Sequence, residues 1–108
     1  MNPRLTWLVL CLFCACASRQ SAVYRADRDV RDLARALCDE VAFLGSETDA
    51  SRDVLQCDLA PHVRTSIRIN GDVLRVEADS TWRHSDIALK LGVLAQQRGF
   101  RIEFKGLQ

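Results

Sequence analysis

An Asn-Gly pair between two alternating apolar segments constrains this chain more than any other sequence feature. The pair, Asn70-Gly71, lies at the midpoint of the segment from Val63 to Asp79. Asn-Gly is the preferred sequence for a two-residue hairpin turn of type I′, because both central residues of that turn need positive φ. The sequence therefore predicts a β-hairpin with Asn70 and Gly71 as its turn.

The register of this hairpin decides which side chains share a face. A turn at Asn70-Gly71 pairs Ile69 with Asp72, Ile67 with Leu74, Thr65 with Val76, and Val63 with Ala78. The apolar face is predicted to cover a core and contains Val63, Ile67, Ile69, Leu74, Val76 and Ala78. The other face pairs His62 with Asp79, Arg64 with Glu77, Ser66 with Arg75, and Arg68 with Val73. Its arginines are interleaved with carboxylates, which favours an ordinary solvated face over an anion-binding one.

Length and charge exclude several classes of protein. The chain has 108 residues, enough for one small domain. Its 15 basic and 14 acidic residues nearly balance, whereas nucleic-acid-binding proteins normally have a basic excess. We therefore expect no nucleic-acid partner. No phosphate-binding loop, metal-ligand spacing or nucleophile motif occurs, so we expect no cofactor, no metal and no small-molecule substrate.

Residues 1–17 have the layout of an export signal. Arg4 precedes a short apolar run from Leu5 to Ala17, which is too short to span a membrane. Cleavage after Ala17 would fit an A-x-A site and leave Ser18 first. Alternatively, residues 13–16 resemble the lipobox of bacterial lipoproteins, which would make Cys16 a lipidated first residue. We favour lipidation at Cys16; an uncleaved anchor or a buried helix is the remaining alternative.

Two cysteines remain once this leader is set aside. The domain then contains two cysteines, Cys38 and Cys57. An exported domain with an even number of cysteines normally pairs them, so we predict a disulfide between these two. Their spacing is too long for a C-x-x-C redox motif. Two buried free thiols, behaving as small apolar residues, are the alternative.

The remaining periodicity predicts an α+β domain over residues 27–108, preceded by a polar tether over residues 18–26. Helical spacing of apolar residues predicts helices over Asp27–Leu44 and from Ser80 or Ser85 to Arg98. Alternation predicts a short strand over Val54–Leu59 and a final strand over Phe100–Phe104. The expected order is helix, β-hairpin, helix, strand, with a three- or four-stranded sheet and both helices packed on one face.

The second helix has apolar residues on two faces. Ile87, Leu91, Leu94 and Ala95 form its predicted buried stripe, and Gly92 is interpreted as a point of close packing against the sheet. Leu89 and Val93 lie on another face, with Trp82 just before the helix. We interpret these three as additional core, with a docking patch for a partner as the alternative.

The run from Ile67 to Val76, a following helix and Gly99-Phe-Arg-Ile102 together resemble the BON domains of bacterial envelope proteins. The N-terminal domains of secretins have a similar set of elements. Either resemblance implies a small α/β domain of an exported protein or lipoprotein that binds a membrane surface or another protein. No functional residue is carried over from either family.

No catalytic residue is predicted. His62 with Asp79, or His84 with Asp86, could form an acid–base pair, but no nucleophile or substrate cleft accompanies either histidine. We therefore expect a non-catalytic interaction module, an accessory part of a membrane or secretion assembly. Its expected location is the cell envelope, anchored by lipid and facing the periplasm, and its expected partner is an envelope protein or the membrane surface.

Two other functions stay open. A soluble periplasmic or secreted inhibitor, or an immunity-type protein, would be expected to expose a rigid loop, for which Ser46–Arg52 is the candidate. A small hydrolase is the second rival, and it would need a pocket that gathers a histidine, a carboxylate and a hydroxyl.

Overall fold

Two helices cover one face of a five-stranded antiparallel sheet. The structure is a computed structural model that describes residues 20–42, 45–49, 51–58 and 65–108. The strand order is β2-β3-β4-β1-β5, and every neighbouring pair is antiparallel. The elements in chain order are β1 (Gln20–Ala26), α1 (Arg31–Val41), β2 (Val54–Gln56), β3 (Thr65–Asn70), β4 (Val73–Ala78), α2 (Thr81–Arg98) and β5 (Ile102–Leu107).

Strand β1 corrects the prediction of a tether over residues 18–26. Within the described part of that segment, Gln20–Ala26 lies between β4 and β5. Ala22, Tyr24 and Ala26 point into the core, and burial raises the pKa of the Tyr24 hydroxyl. Two of these positions hold alanine, and the outward-facing Val23 between Ala22 and Tyr24 is apolar, so the alternation in hydropathy is weak. The sheet consequently has five strands rather than three or four, and β5 is separated from β4 by β1.

The hairpin is confirmed, but its register differs by two residues. Asn70 pairs with Val73, Ile69 with Leu74, and Ile67 with Val76, so the turn residues are Gly71 and Asp72. Gly71 has φ of 60°, and Asn70 and Asp72 do not have positive φ. A glycine with positive φ at the first central position is the requirement of a type II′ turn, not of type I′.

A two-residue shift leaves every side chain on its predicted face, because strand side chains alternate with period two. The apolar residues of the described hairpin are buried as predicted: Ile67, Ile69, Leu74, Val76 and Ala78. Val63, His62 and Arg64 lie outside the described residues. The predicted cross-strand partners change, so Ser66 now faces Glu77 and Arg68 faces Arg75.

Both helices bury the stripes that their periodicity predicts. The buried residues of α1 are Leu33, Ala34, Leu37, Cys38 and Val41. This helix starts four residues later than predicted, because the Asp27 N–H donates to Arg101 O and the Val30 N–H donates to Gly71 O. These bonds hold residues 27–30 against the end of the sheet. Asp29 Oδ1 accepts from the Arg31 N–H at 2.8 Å.

Helix α2 has the boundaries that its caps predict. Ser80 Oγ accepts from the Arg83 N–H at 3.1 Å, and Gly99 ends the helix with φ of 73°. The interpretation of Gly92 is wrong: this residue is exposed, and a Cβ built on it would have no described neighbour within 4 Å.

The predicted disulfide is confirmed. Cys38 of α1 is bonded to Cys57, which follows β2, with the Cα atoms 4.9 Å apart. Both cysteines are fully buried. The bridge ties the first helix to the edge of the sheet across 19 residues of sequence, and the chain-entropy model gives a loop of that size about 3 kcal/mol of stabilisation.

We predict that Gly71→Ala destabilises the domain and that Asn70→Ala does not to the same extent. Alanine at Gly71 would meet no atom within 4 Å, so its expected cost of about 1–2 kcal/mol comes only from its positive φ. Asn70 lacks positive φ, and we expect its substitution to cost less than about 0.5 kcal/mol. Chemical denaturation of both variants measures the difference. Equal losses would contradict the observed register and favour a turn at Asn70-Gly71.

Candidate interaction surface

A stripe of apolar side chains on α2 points away from the sheet. Trp82 is 65% exposed, Leu89 is 75% exposed and Val93 is 55% exposed. The spacing of seven and four residues places all three along one side of the helix. The interpretation of these residues as additional core is therefore wrong, and the alternative of a docking patch remains. We call Trp82, Leu89 and Val93 the α2 stripe.

A shallow groove between the two helices borders the α2 stripe. Its volume is about 370 Å³. An ion pair between Lys90 Nζ and Asp86 Oδ2, 2.9 Å apart, lies in its wall. The groove therefore combines an apolar side with a few charged groups, as protein-binding surfaces commonly do. The lining residues are Glu40, Asp86, Leu89, Lys90, Val93, Leu94 and Gln97.

A buried arginine fixes the position of α2. The Arg83 guanidinium donates from Nε to Thr65 Oγ1 at 2.9 Å, and from Nη2 to Val41 O at 2.6 Å and Asp58 Oδ2 at 2.7 Å. The Arg83 and Asp58 side chains are each only 4% exposed. One side chain thus joins α2 to the last turn of α1, to β3 and to the segment after β2.

The position of Arg83 in the sequence indicates that it is buried, although its charge suggests a surface residue. Positions 83, 87, 91 and 94 recur at helical spacing, so Arg83 continues the buried stripe of Ile87 by one turn towards the N-terminus. A charged residue in that phase predicts a buried ion pair. The partner, Asp58, gives no comparable signal because it lies outside regular secondary structure.

Neither acid–base pair was predicted to act in catalysis, and the one whose residues are both described, His84 with Asp86, is not formed. His84 is buried and its Nε2 donates to Gln20 O at 3.0 Å, while Asp86 accepts from Lys90. His62, the other histidine, lies outside the described residues, as do the lipidation candidate Cys16 and the leader. Over the described ranges, no group of three or more His, Cys, Asp or Glu side chains could hold a metal ion.

The arginine-rich face of the sheet carries paired charges. Arg68 Nε lies 3.2 Å from Glu77 Oε1, and Arg25 Nε lies 3.3 Å from Asp72 Oδ2. These pairs are partly or largely exposed, so each contributes little to stability. Carboxylates pair with these two arginines, so this face has the mixed charge predicted for it, but Ser66, which was predicted to face solvent, is only 6% exposed.

The loop predicted for an inhibitor is held by its own hydrogen bonds. Asp49 Oδ1 accepts from the Ser51 backbone N–H at 2.9 Å and from its hydroxyl at 2.8 Å, which lowers the pKa of the Asp49 carboxyl. Glu47 bridges to Gln56 at the edge of β2. Arg31 Nη2 donates to Asp53 Oδ1 at 2.6 Å, and this bond raises the pKa of the Arg31 guanidinium.

In comparisons with known proteins, the chain matches no family model, no curated protein and no solved structure. In the portion of the chain that the structure describes, neither helix combines the length and the apolarity needed to cross a bilayer. Two surfaces are candidates for function: the α2 stripe with its groove, and the loop over Ser46–Arg52, which we call the braced loop.

We predict that Arg83→Ala lowers the free energy of unfolding by about 3–5 kcal/mol, because three buried acceptors lose a donor. Asp86→Ala, on the same helix, is the matched control. It removes a partly buried i,i+4 pair with Lys90, and we expect it to cost about 0.5 kcal/mol or less. Urea denaturation of the two variants tests the difference. Similar losses would show that Arg83 does not hold α2 in place.

Proposed function

We propose that this chain is an exported bacterial envelope protein, anchored by a lipid on Cys16, whose domain is a non-catalytic interaction module. The α2 stripe binds a partner protein at the same membrane, as an accessory part of a membrane or secretion assembly. The observation that carries this proposal is the exposure of Trp82, Leu89 and Val93 on a helix whose position is fixed by buried bonds.

The chemistry of the stripe supports a protein partner. Tryptophan is among the residues that contribute most to protein interfaces, because its ring buries a large area and loses little conformational entropy. Leu89 and Val93 extend that apolar contact over about three helical turns. Arg83 and the Ser80 cap hold the helix before any partner arrives, so binding orders few groups and retains more of the interaction energy.

The disulfide and the leader support export. A buried Cys38–Cys57 bridge is typical of proteins that fold in an oxidising compartment. The leader over residues 1–17 would direct the chain there. The BON-like or secretin-like resemblance stays a prediction, and it agrees with an interaction module of the envelope.

The start of β1 shortens the expected tether. If Cys16 carries the lipid, residues 17–19 alone connect it to Gln20, and the four Cα–Cα steps from Cys16 to Gln20 span at most about 14 Å. The carbonyl of Gln20 accepts a hydrogen bond from His84, in the first turn of α2. The Trp82 end of the stripe would therefore lie near the membrane surface, where a membrane-associated partner could reach it.

An inhibitor or immunity-type protein is the second candidate function, and the braced loop favours it. Inhibitors bind through loops that are rigid before binding. Asp49, Ser51 and Arg52 are exposed and connected by hydrogen bonds within the loop. This surface lies at the β2 edge of the sheet, whereas the α2 stripe lies on the outer side of α2.

We predict that the chain incorporates labelled palmitate when it is expressed in a bacterium that processes lipoproteins. Cys16→Ala should abolish the label, because its thiol is the proposed acceptor. Cys14→Ala is the matched control and should keep the label. Mass spectrometry of the mature protein reports the cleavage point and the lipid together. A chain that starts at Ser18 without lipid would establish plain secretion instead.

We predict that a photoreactive residue at Leu89 crosslinks the exported chain to one discrete protein in intact cells, while the same residue at Ser51 does not. Val93→Asp should remove the Leu89 adduct and change stability by no more than about 0.5 kcal/mol, because Val93 is exposed. An adduct from Ser51 alone would favour the inhibitor function. An adduct of lipid alone at Leu89 would favour contact with the membrane surface.

A further inference from the structure

The outer side of α2 carries no exposed charge. Over residues 82–97, every exposed residue of the helix is uncharged. Besides the α2 stripe, these residues are Ser85, Ala88, Gly92, Gln96 and Gln97. The two charged residues that are partly exposed there, Asp86 and Lys90, form an ion pair with each other. A helix that faces water normally carries charged residues on its outer side, so the composition of α2 suits a helix whose outer side is also covered.

A protein accounts for this covering better than a membrane surface does. Helices that lie on a membrane combine an apolar side with a side rich in lysine and arginine. Over residues 84–97 the only lysine or arginine is Lys90, and it is bonded to Asp86. The stripe also offers no backbone groups to a strand, because the interior N–H and C=O groups of a helix bond within it. The covering element must therefore contact α2 through side chains, as a second helix does.

The spacing of the α2 stripe matches the spacing of apolar residues on a helix. Leu89 and Val93 lie about 6 Å apart along the helix axis, and Trp82 lies about 10 Å from Leu89. Apolar residues at i, i+4 and i+7 of an amphipathic helix recur at these distances. Such a helix binds in a groove through its apolar side, and the groove between α1 and α2 lies beside the stripe.

Gly92 has no role in the packing of the described chain. It is exposed, and a Cβ built on it would have no described neighbour within 4 Å. Glycine is nevertheless much less favourable than alanine inside a helix. Because glycine has no side chain, it allows a second backbone to approach closely. Gly92 lies on the same side of α2 as Leu89 and Val93, so it marks a point where a partner helix can cross.

The other wall of the groove is complementary to a basic residue. Glu40 of α1 lines the groove, is exposed, and forms no ion pair with any described residue. It lies in the last turn of α1, which contains no basic residue and carries the negative end of the helix dipole. Lys90, the base of the opposite wall, is already bonded to Asp86. A lysine or arginine of the partner would therefore be favourable opposite Glu40.

We infer that the partner presents an amphipathic helix, which lies in the groove between α1 and α2, crosses α2 at Gly92 and places a basic residue opposite Glu40. This inference rests on the proposed function, because it names the element of the partner that binds the α2 stripe. The apolar side of the partner helix covers Leu89 and Val93, which leaves its own polar side in water.

Mapping of the crosslinked partner tests the helix directly. Photoreactive residues placed separately at Leu89 and Val93 of the exported chain should attach, in intact cells, to one segment of one protein. Mass spectrometry of the adducts should find attachment points three, four or seven residues apart. Absence of any protein adduct would contradict the proposed function itself. A protein adduct with attachment points two residues apart, in separate segments, or in a second copy of this chain would overturn the partner helix alone.

Variants of Gly92 test the crossing point. Neither Gly92→Ala nor Gly92→Leu should unfold at a lower urea concentration than the original chain, because both side chains meet open space and both residues favour helix over glycine. Gly92→Leu should lower the yield of the Leu89 adduct at least tenfold, since its side chain holds the partner backbone away, and Gly92→Ala should lower it less. An undiminished yield with Gly92→Leu, or a loss of stability in Gly92→Ala, would overturn the inference.

A charge reversal tests the basic residue of the partner. Glu40→Lys should lower the yield of the Leu89 adduct at least fivefold. Asp32→Lys makes the same charge change at an exposed residue of α1 outside the groove, and as the matched control it should leave the yield unchanged. Replacing the basic residue of the mapped partner segment by glutamate should restore the yield with Glu40→Lys. Equal yields from the Glu40 and Asp32 variants would count against the predicted contact.

Discussion

The Arg83 guanidinium joins α2 to three other parts of this small domain through one buried group. It binds the last carbonyl of α1, a threonine of β3 and the carboxylate of Asp58. A charge in the interior is strongly disfavoured unless acceptors surround it, so these elements must lie where they can supply acceptors. The carbonyl at the end of α1 has no partner within its own helix, and a cation at that end also suits the helix dipole.

The disulfide lies next to the hydrogen bonds of Arg83. Cys57 is bonded to Cys38 of α1, and the following residue, Asp58, binds Arg83 of α2. The segment after β2 is therefore held to both helices through two adjacent residues, one covalently and one by charge. Because the core side of α2 is fixed in this way, its outer side can remain apolar without changing the packing of the helix. The exposed stripe is thus presented by a rigid scaffold.

Some of this arrangement follows from local sequence patterns. The faces of the hairpin, the Ser80 and Gly99 ends of α2 and the disulfide each depend on residues whose chemistry allows few alternatives. The turn lies one residue later than predicted, which changes the strand register by two, because glycine at the first central position satisfies type II′ as well as Asn-Gly satisfies type I′. That error left the faces intact, since the period of a strand is two.

The rest could not be predicted because it depends on long-range contacts. Two of the buried residues of β1 are alanines, so hydropathy alternates only weakly along the segment. Only its pairing with β4 and β5 identifies Gln20–Ala26 as a strand. The α2 stripe has the composition of a core, and only the absence of a covering element among the described residues shows that it is a surface. Burial of Arg83 was not predicted: its helical phase matches the buried stripe, but its acceptors come from three distant parts of the chain.

The central place of β1 has a consequence for how the chain acquires its structure. Gln20 pairs with Ala78, and Ala26 pairs with Ile102, so the first strand of the described domain has no neighbour in the sheet until the last third of the sequence is present. Contacts of such long sequence separation form slowly, because the intervening loop must close before they contribute any energy. The amino-terminal half of this domain therefore cannot complete a sheet alone during synthesis, and closure waits for the carboxyl-terminal strand.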